Sequence, residues 1–337
     1  MDFDFTDDQL ALRDGARELL DDLASPARVR AHTAGHDAFD ATLWSAMVEQ
    51  GWLGIDLPEA DGGVGLGSIE AALLCEEVGR HAAPAPFVST VLAIDALARA
   101  DERKWVERLV VGDAIACVAW DAAHPVPYAP SAHIAVVLTD DGVFAQELAV
   151  RPAREPAMDL TRELGWLTFD AAAARRIGGA EERDRLLDRG ATFTSADLLG
   201  ASDHALALAV EYAKDRVQFG RPIGSFQAVK HRCADMLVDV EGMRSTVYWA
   251  AWCLSADDPE RGMAASTAKT WCADASKRVM ASALQVHGGI GFTWEHDLHF
   301  FMKRAQLDQL TFGDSSYHRA RLTALLRPRV EAGESIV

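Results

Sequence analysis

Two short stretches carry residue types able to hold an anionic ligand. The first is Arg216-Val-Gln-Phe-Gly-Arg-Pro-Ile-Gly, with Arg216, Gln218 and Phe219 before a glycine. The second is Gln285-Val-His-Gly-Gly-Ile-Gly-Phe, with Gln285, Gly288 and Gly289. An arginine offers a planar fork of donors that pairs bidentately with phosphate. Two adjacent glycines let a ligand come close to the backbone. Each stretch also has a structural explanation. A cation is favoured at a helix C-terminus, and glycine after a helix is an ordinary C-cap. On the residues alone both readings stand.

Other chemistries find less support. His287, His299 and His318 fit polar helix ends or bundle surfaces better than catalysis. A carboxylate-bridged di-iron bundle needs paired Glu-x-x-His motifs, and the sequence contains none. Cys75, Cys117, Cys233, Cys253 and Cys272 are scattered, odd in number and never spaced Cys-x-x-Cys. That pattern predicts a reducing cytoplasm and neither a disulfide frame nor a zinc site. Gly51 to Gly67 is glycine-rich but is followed by no Lys-Ser/Thr pair, so it reads as a turn-rich link and not a phosphate loop.

The formal charge of -18 over 337 residues argues against nucleic acid or an anionic membrane surface as partner. Any site for an anion must be locally basic. The acidic start, Met-Asp-Phe-Asp-Phe, does not resemble a signal peptide. No apolar run is long enough to span a bilayer.

Three regions must position these residues. Residues 1–110 read as helical: Thr6-Asp-Asp-Gln9 is a capping box, with Phe5 and Leu10 spaced as a hydrophobic staple. The pattern predicts helices to Leu23, over 41–50 and over 68–78. Residues 111–190 read as a reduced β domain, with strand-like runs at 114–120, 132–139, 142–148 and 164–170. Prolines 125, 127, 130, 152 and 156 limit the size of its sheet. Residues 191–330 read as a four-helix bundle, with apolar stripes over 195–217, 225–254, 262–286, 294–310 and 316–326. Small residues on one face of the third of these, Ala264, Ala268, Ala275 and Ala283, predict close approach by a partner helix.

The Arg216 and Gln285 stretches, followed by Asp297-Leu-His and Lys303-Arg304, together resemble the C-terminal domain of acyl-CoA dehydrogenases. Pro58-Glu and Gly62-Gly-Val-Gly resemble a link in that family's N-terminal domain. The resemblance implies a mainly α fold with a small β domain. It implies FAD as cofactor, an acyl-CoA thioester as substrate and electron-transfer flavoprotein as acceptor. It further implies that Arg216, Gln218, Phe219, Gln285, Gly288 and Gly289 contact the adenine and pyrophosphate of an FAD held mainly by a neighbouring subunit.

The chain departs from the family pattern in two respects. The family's catalytic Glu sits at one of two places, which match Gly313 and Gly190 here; Asp314 and Asp197 are the nearest substitutes. The segments that cradle the flavin ring have no counterpart between Gly112 and Asp170. These departures imply a base-lacking subunit, similar to those of actinobacterial heteromeric steroid-CoA dehydrogenases, working in an α2β2 assembly with a second dehydrogenase subunit. Two rivals are a self-sufficient homo-oligomer with a non-standard base and an assembly protein that kept the fold without FAD.

Overall fold

The computed structural model describes residues 4–35 and 37–333; Met1–Phe3 of the acidic start lie outside them. The first helix, α1 (Asp7–Leu23), begins as the capping box requires. Thr6 Oγ1 accepts from Gln9 N–H at 3.2 Å, and Gln9 Oε1 accepts from Thr6 N–H at 3.0 Å. Phe5 stacks edge-on against Tyr248, with centroids 4.7 Å apart. Helices α2 (Pro26–Ala34) and α3 (Ala41–Glu49) follow, the latter capped by Asp40. The glycine-rich link makes two short 3-10 turns before α4 (Ser68–Arg80), α5 (Phe87–Arg99) and α6 (Arg103–Val110).

Helix α4 is buried on nearly every side, so it is a core helix and not an amphipathic surface one. Its buried Glu77 is neutralised by Arg17 at 2.5 Å, and Glu76 by Arg244 at 2.6 Å. It crosses α7 (Ala180–Asp215) backbone to backbone. A Cβ on Gly79 would strike the Asp197 carbonyl, and one on Gly200 the Glu76 carbonyl.

The middle region forms a four-stranded sheet in the order β1 (Ala116–Ala119), β3 (Ile134–Thr139), β4 (Gly142–Glu147), β6 (Arg175–Gly178). β1 and β3 run parallel; the other pairs are antiparallel. A separate ribbon pairs β2 (Val126–Pro127) with β5 (Leu164–Gly165). Two sequence expectations change here. The run 164–170 supplies only those two strand residues. β6 carries Arg175 and Arg176 on an edge, half exposed, and lacks the apolar alternation that marks a strand.

Helix α7 starts at Ala180, not near Ser195. Charged residues 181–185 hide the apolar stripe, although Glu181 and Glu182 in the first turn favour a helix N-terminus there. α7 runs parallel to α9 (Arg261–His287): Asp188 meets Arg261 near their starts, and Tyr212 meets His287 near their ends. With α8 (Gln227–Ser255), α10 (Leu298–Leu310) and α11 (Ser315–Glu331) they form the bundle. Residues 294–297 are not helical as expected; His296 Nδ1 accepts from Leu298 N–H at 3.1 Å where α10 begins.

The small-residue face of α9 is also corrected. Ala264, Ala268, Ala275 and Ala283 are all fully buried within the chain. Ala264 and Ala268 pack with Ala250, Cys253, Trp249 and Trp252 of α8. The alanines let the chain's own helices close up, and leave no face for a helix from another chain.

Candidate functional site

Helix α7 ends at Arg216, whose N–H donates to the Tyr212 carbonyl at 2.9 Å. A tight hairpin follows, with β7 (Val217–Gln218) paired to β8 (Arg221–Pro222). Its two turn residues, Phe219 and Gly220, sit at φ 54° and 76°. Consecutive left-handed residues make the turn whose twist matches a two-residue hairpin. The turn projects the Phe219 ring outward, 92% exposed. Arg221 stacks on Phe226 at 4.2 Å, and Gln218 Nε2 donates to the Val217 carbonyl at 2.8 Å. Among the described residues the Arg216 guanidinium meets no carboxylate.

The second stretch lies at the same end of the bundle. His287 is buried, its Nδ1 2.8 Å from the Ala283 carbonyl, and its ring stacks on Tyr212 with centroids 4.8 Å apart. Tyr212 is one turn before Arg216, and His287 lies two residues after Gln285. That stack therefore brings the two motifs together. Gln285 is exposed. Gly288 adopts φ 61°, which favours glycine. A Cβ on Gly288 or Gly289 would meet nothing within 4 Å, whereas one on Gly291 would press on His287. Packing inside the chain thus explains Gly291 but gives no reason for Gly289.

The other half of the expected site is closed. At Gly190 an added Cβ would fall inside the ring of Phe312, which lies buried against it. Gly313 sits at φ 94°; a Cβ there would lie 2.5 Å from the Tyr317 ring and 3.0 Å from His318 Nε2. Asp314 accepts from Tyr317 N–H at 2.8 Å as the cap of α11. Asp197 is fully buried between two arginines. Arg304 donates to it at 2.8 and 2.7 Å and Arg162 at 2.9 Å. Burial alone would raise its pKa, but Arg304 and Arg162 outweigh burial and hold it below the usual carboxylate range. Arg162 also clamps both oxygens of Asp308, and Lys269 donates to the Asp308 carbonyl. Burial, opposed by Arg162, pushes the Asp308 carboxyl upward.

Beside this ionic cluster lies a cavity lined by Leu92, Tyr128, Arg162, Asp197 and Phe312. Neither Asp314 nor Asp197 is placed as a base. His318 serves structure too: its Nε2 is 2.8 Å from the Phe312 carbonyl, and burial lowers its pKa to about 4, so it stays neutral. The Arg216 and Gln285 motifs are thus open at the surface, while Gly190 and Gly313 are packed against by Phe312, Tyr317 and His318.

The sequence reading overlooked Arg162, Asp308 and Lys269, and gave Phe312 no role. One available signal was Arg304 and Asp308, an i,i+4 charge pair beside Phe300, Phe301 and Ala305 on α10. Charges on an apolar face announce buried partners.

Residues 6–113 match the acyl-CoA dehydrogenase N-terminal domain, and residues 178–326 match the C-terminal domain. The chain belongs to the acyl-CoA dehydrogenase family, whose members bind FAD. It is 34% identical over 316 residues to acyl-CoA dehydrogenase IpdE2 of Mycolicibacterium smegmatis, covering 93% of this chain and 97% of that protein. Among solved structures it resembles the steroid acyl-CoA dehydrogenase Tcur3481–Tcur3483, a G363A variant, at TM-score 0.87 and 30% identity, covering 96% of this chain and 99% of the other. It resembles the ChsE4–ChsE5 complex of Mycobacterium tuberculosis at TM-score 0.85 and 30% identity, over the full length of both chains.

Proposed function

We propose that this chain is the base-lacking subunit of a heteromeric, FAD-dependent acyl-CoA dehydrogenase. One observation carries the reading. Arg216, Phe219 and Gly289 are open to solvent, whereas Gly190 and Gly313, which match the family's two base positions, are packed against by Phe312 and Tyr317. In the assembly Arg216 pairs with the pyrophosphate by charge-assisted hydrogen bonds. Gln218, Phe219 and Gln285 contact the adenosine, and the bare backbone at Gly288 and Gly289 lets it approach closely. FAD bound there would supply the hydride acceptor for the β-carbon of the acyl thioester. A carboxylate of the partner subunit removes the α-proton.

The likeness to one steroid acyl-CoA dehydrogenase structure and to one two-component complex supports a heteromeric assembly acting on a steroid-derived acyl-CoA; the α2β2 stoichiometry and electron-transfer flavoprotein as acceptor rest on the family resemblance alone. The five free cysteines and the acidic charge support a cytoplasmic setting. Among the described residues no helix is long and apolar enough to cross a membrane.

The test is flavin content, native mass and acyl-CoA turnover of the chain alone and co-expressed with a neighbouring dehydrogenase-like gene. Flavin and turnover only in the co-expressed complex support the reading. Flavin and turnover by the chain alone favour the self-sufficient enzyme. No flavin in either leaves the assembly protein.

A further inference from the structure

The segment that carries Gly288 and Gly289 is an arch with an open crown and two fixed feet. One foot is His287, buried, stacked on Tyr212 and meeting the His296 ring edge-on at 4.3 Å. The other foot is gripped from outside the bundle by Arg30 of α2. Its Nη1 donates to the Trp294 carbonyl, and its Nη2 to the Glu295 carbonyl at 3.3 Å and to the Asp297 carboxylate. Its guanidinium also lies over the Phe300 ring, 5.3 Å from the centroid. Between the feet, Ile290 and Phe292 are exposed.

Two successive carbonyls, a carboxylate and a ring face make a target that only a planar, multi-donor side chain can satisfy together. Helix α2 is short, and Val29 is its one buried residue; this grip is its principal tie to the bundle. We infer that Arg30 is a positioning residue for the flavin nucleotide: it reaches in from the N-terminal helices and holds the Gly288–Phe292 arch in the shape that receives the ligand. The inference rests on the half-site reading above. An arch already held in shape gives up less freedom when the ligand binds, so affinity depends on the clamp.

The experiment measures FAD affinity of the co-expressed complex carrying Arg30→Ala, Arg30→Lys, Gln285→Ala, Arg216→Ala and the two double variants of Arg30→Ala with Gln285→Ala or Arg216→Ala. Native mass is followed throughout. Arg30→Ala is expected to weaken FAD about tenfold in a complex of unchanged mass. Arg30→Lys, which keeps the charge without the fork, is expected to restore less than half of that loss. The Arg30 and Gln285 losses should be non-additive, because Gln285 stands two residues before the His287 foot and shares one ligand surface with the arch that Arg30 holds. The Arg30 and Arg216 losses should add, because Arg216 stands on the hairpin. A merely structural role would not give the coupling between Arg30 and Gln285. Unchanged affinity in Arg30→Ala, with losses in Gln285→Ala and Arg216→Ala, overturns the inference and leaves the half-site reading intact. Unchanged affinity in all three single variants sinks the half-site reading itself, and the inference with it. If Arg30→Ala does not assemble, Asp297→Asn removes one partner of the same clamp. A several-fold weaker FAD affinity there supports the inference, and unchanged affinity overturns it.

Discussion

Arg216 has an open guanidinium at a helix end, so its removal costs the fold little. Arg216→Ala is expected to leave melting temperature and circular dichroism unchanged and to weaken FAD retention in the assembled complex. The loss of one charge-assisted contact corresponds to about 1.5–3 kcal/mol; flavin content after gel filtration and a titrated Kd measure it. Asp197 is the opposite case, buried between Arg304 and Arg162. Asp197→Asn leaves those arginines short of a counter-charge, and denaturant unfolding should show a loss of about 3–5 kcal/mol. The sign with pH follows from the lowered carboxyl. Its folded-state pKa lies below the unfolded value of roughly 3.9, so its stabilisation is complete above that value and fades as pH falls through the folded one. The stability gap between wild type and Asp197→Asn should therefore be widest near neutrality and shrink in acid. A gap that grows in acid would refute the assignment.

At the scale of elements, the crossing of α4 and α7 rests on paired glycines. Gly200→Ala places a methyl against the Glu76 carbonyl, and neither helix can yield without moving the other. A cost of at least about 1–3 kcal/mol is expected, visible as a lower melting temperature. The turn between α10 and α11 yields a sharper prediction. Gly313→Glu puts a carboxyl back at one family position for the base, yet the φ of 94° and the Tyr317 ring at 2.5 Å oppose any side chain there. That variant is expected to melt lower and still show no acyl-CoA dehydrogenation when assayed without a partner. Measurable turnover would mean that the pocket can reopen. Much at this scale was legible in the sequence: the Thr6–Gln9 capping box, the long stripes of α8 and α9, and the Pro/Gly-punctuated middle region all gave elements close to those observed. β6 and the first turns of α7 were not legible, because exposed charges there replace the periodicity that marks an element.

For the whole molecule, the site proposed here is completed by another subunit, so cofactor binding and assembly are thermodynamically linked. Adding FAD to the flavin-free co-expressed complex should raise its melting temperature in a concentration-dependent way and shift native mass toward the tetramer. A complex equally stable and fully assembled without flavin would show that the cofactor does not bridge the subunits. The contacts that make the assembly must lie elsewhere than the alanine face of α9, which the chain uses for itself.

The sequence by itself determined the family resemblance, most of the long helices though not α2, α5 or α6, and the Arg216 and Gln285 motifs, because each is a local pattern readable within one or two turns. Only the tertiary structure decided what fills the space beside Gly190 and Gly313. Gly190 and Phe312 lie far apart in the chain, yet the ring fills the glycine's space. Arg162 and Asp308 are 146 positions apart, and Asp197 and Arg304 are 107. The buried ionic cluster depends on side chains from the middle region, α7, α9 and α10 meeting in one place, and no spacing along the chain encodes that meeting. The same reason governs the alanines of α9: their small size was plain in the sequence, but which helix they admit is settled by packing in three dimensions.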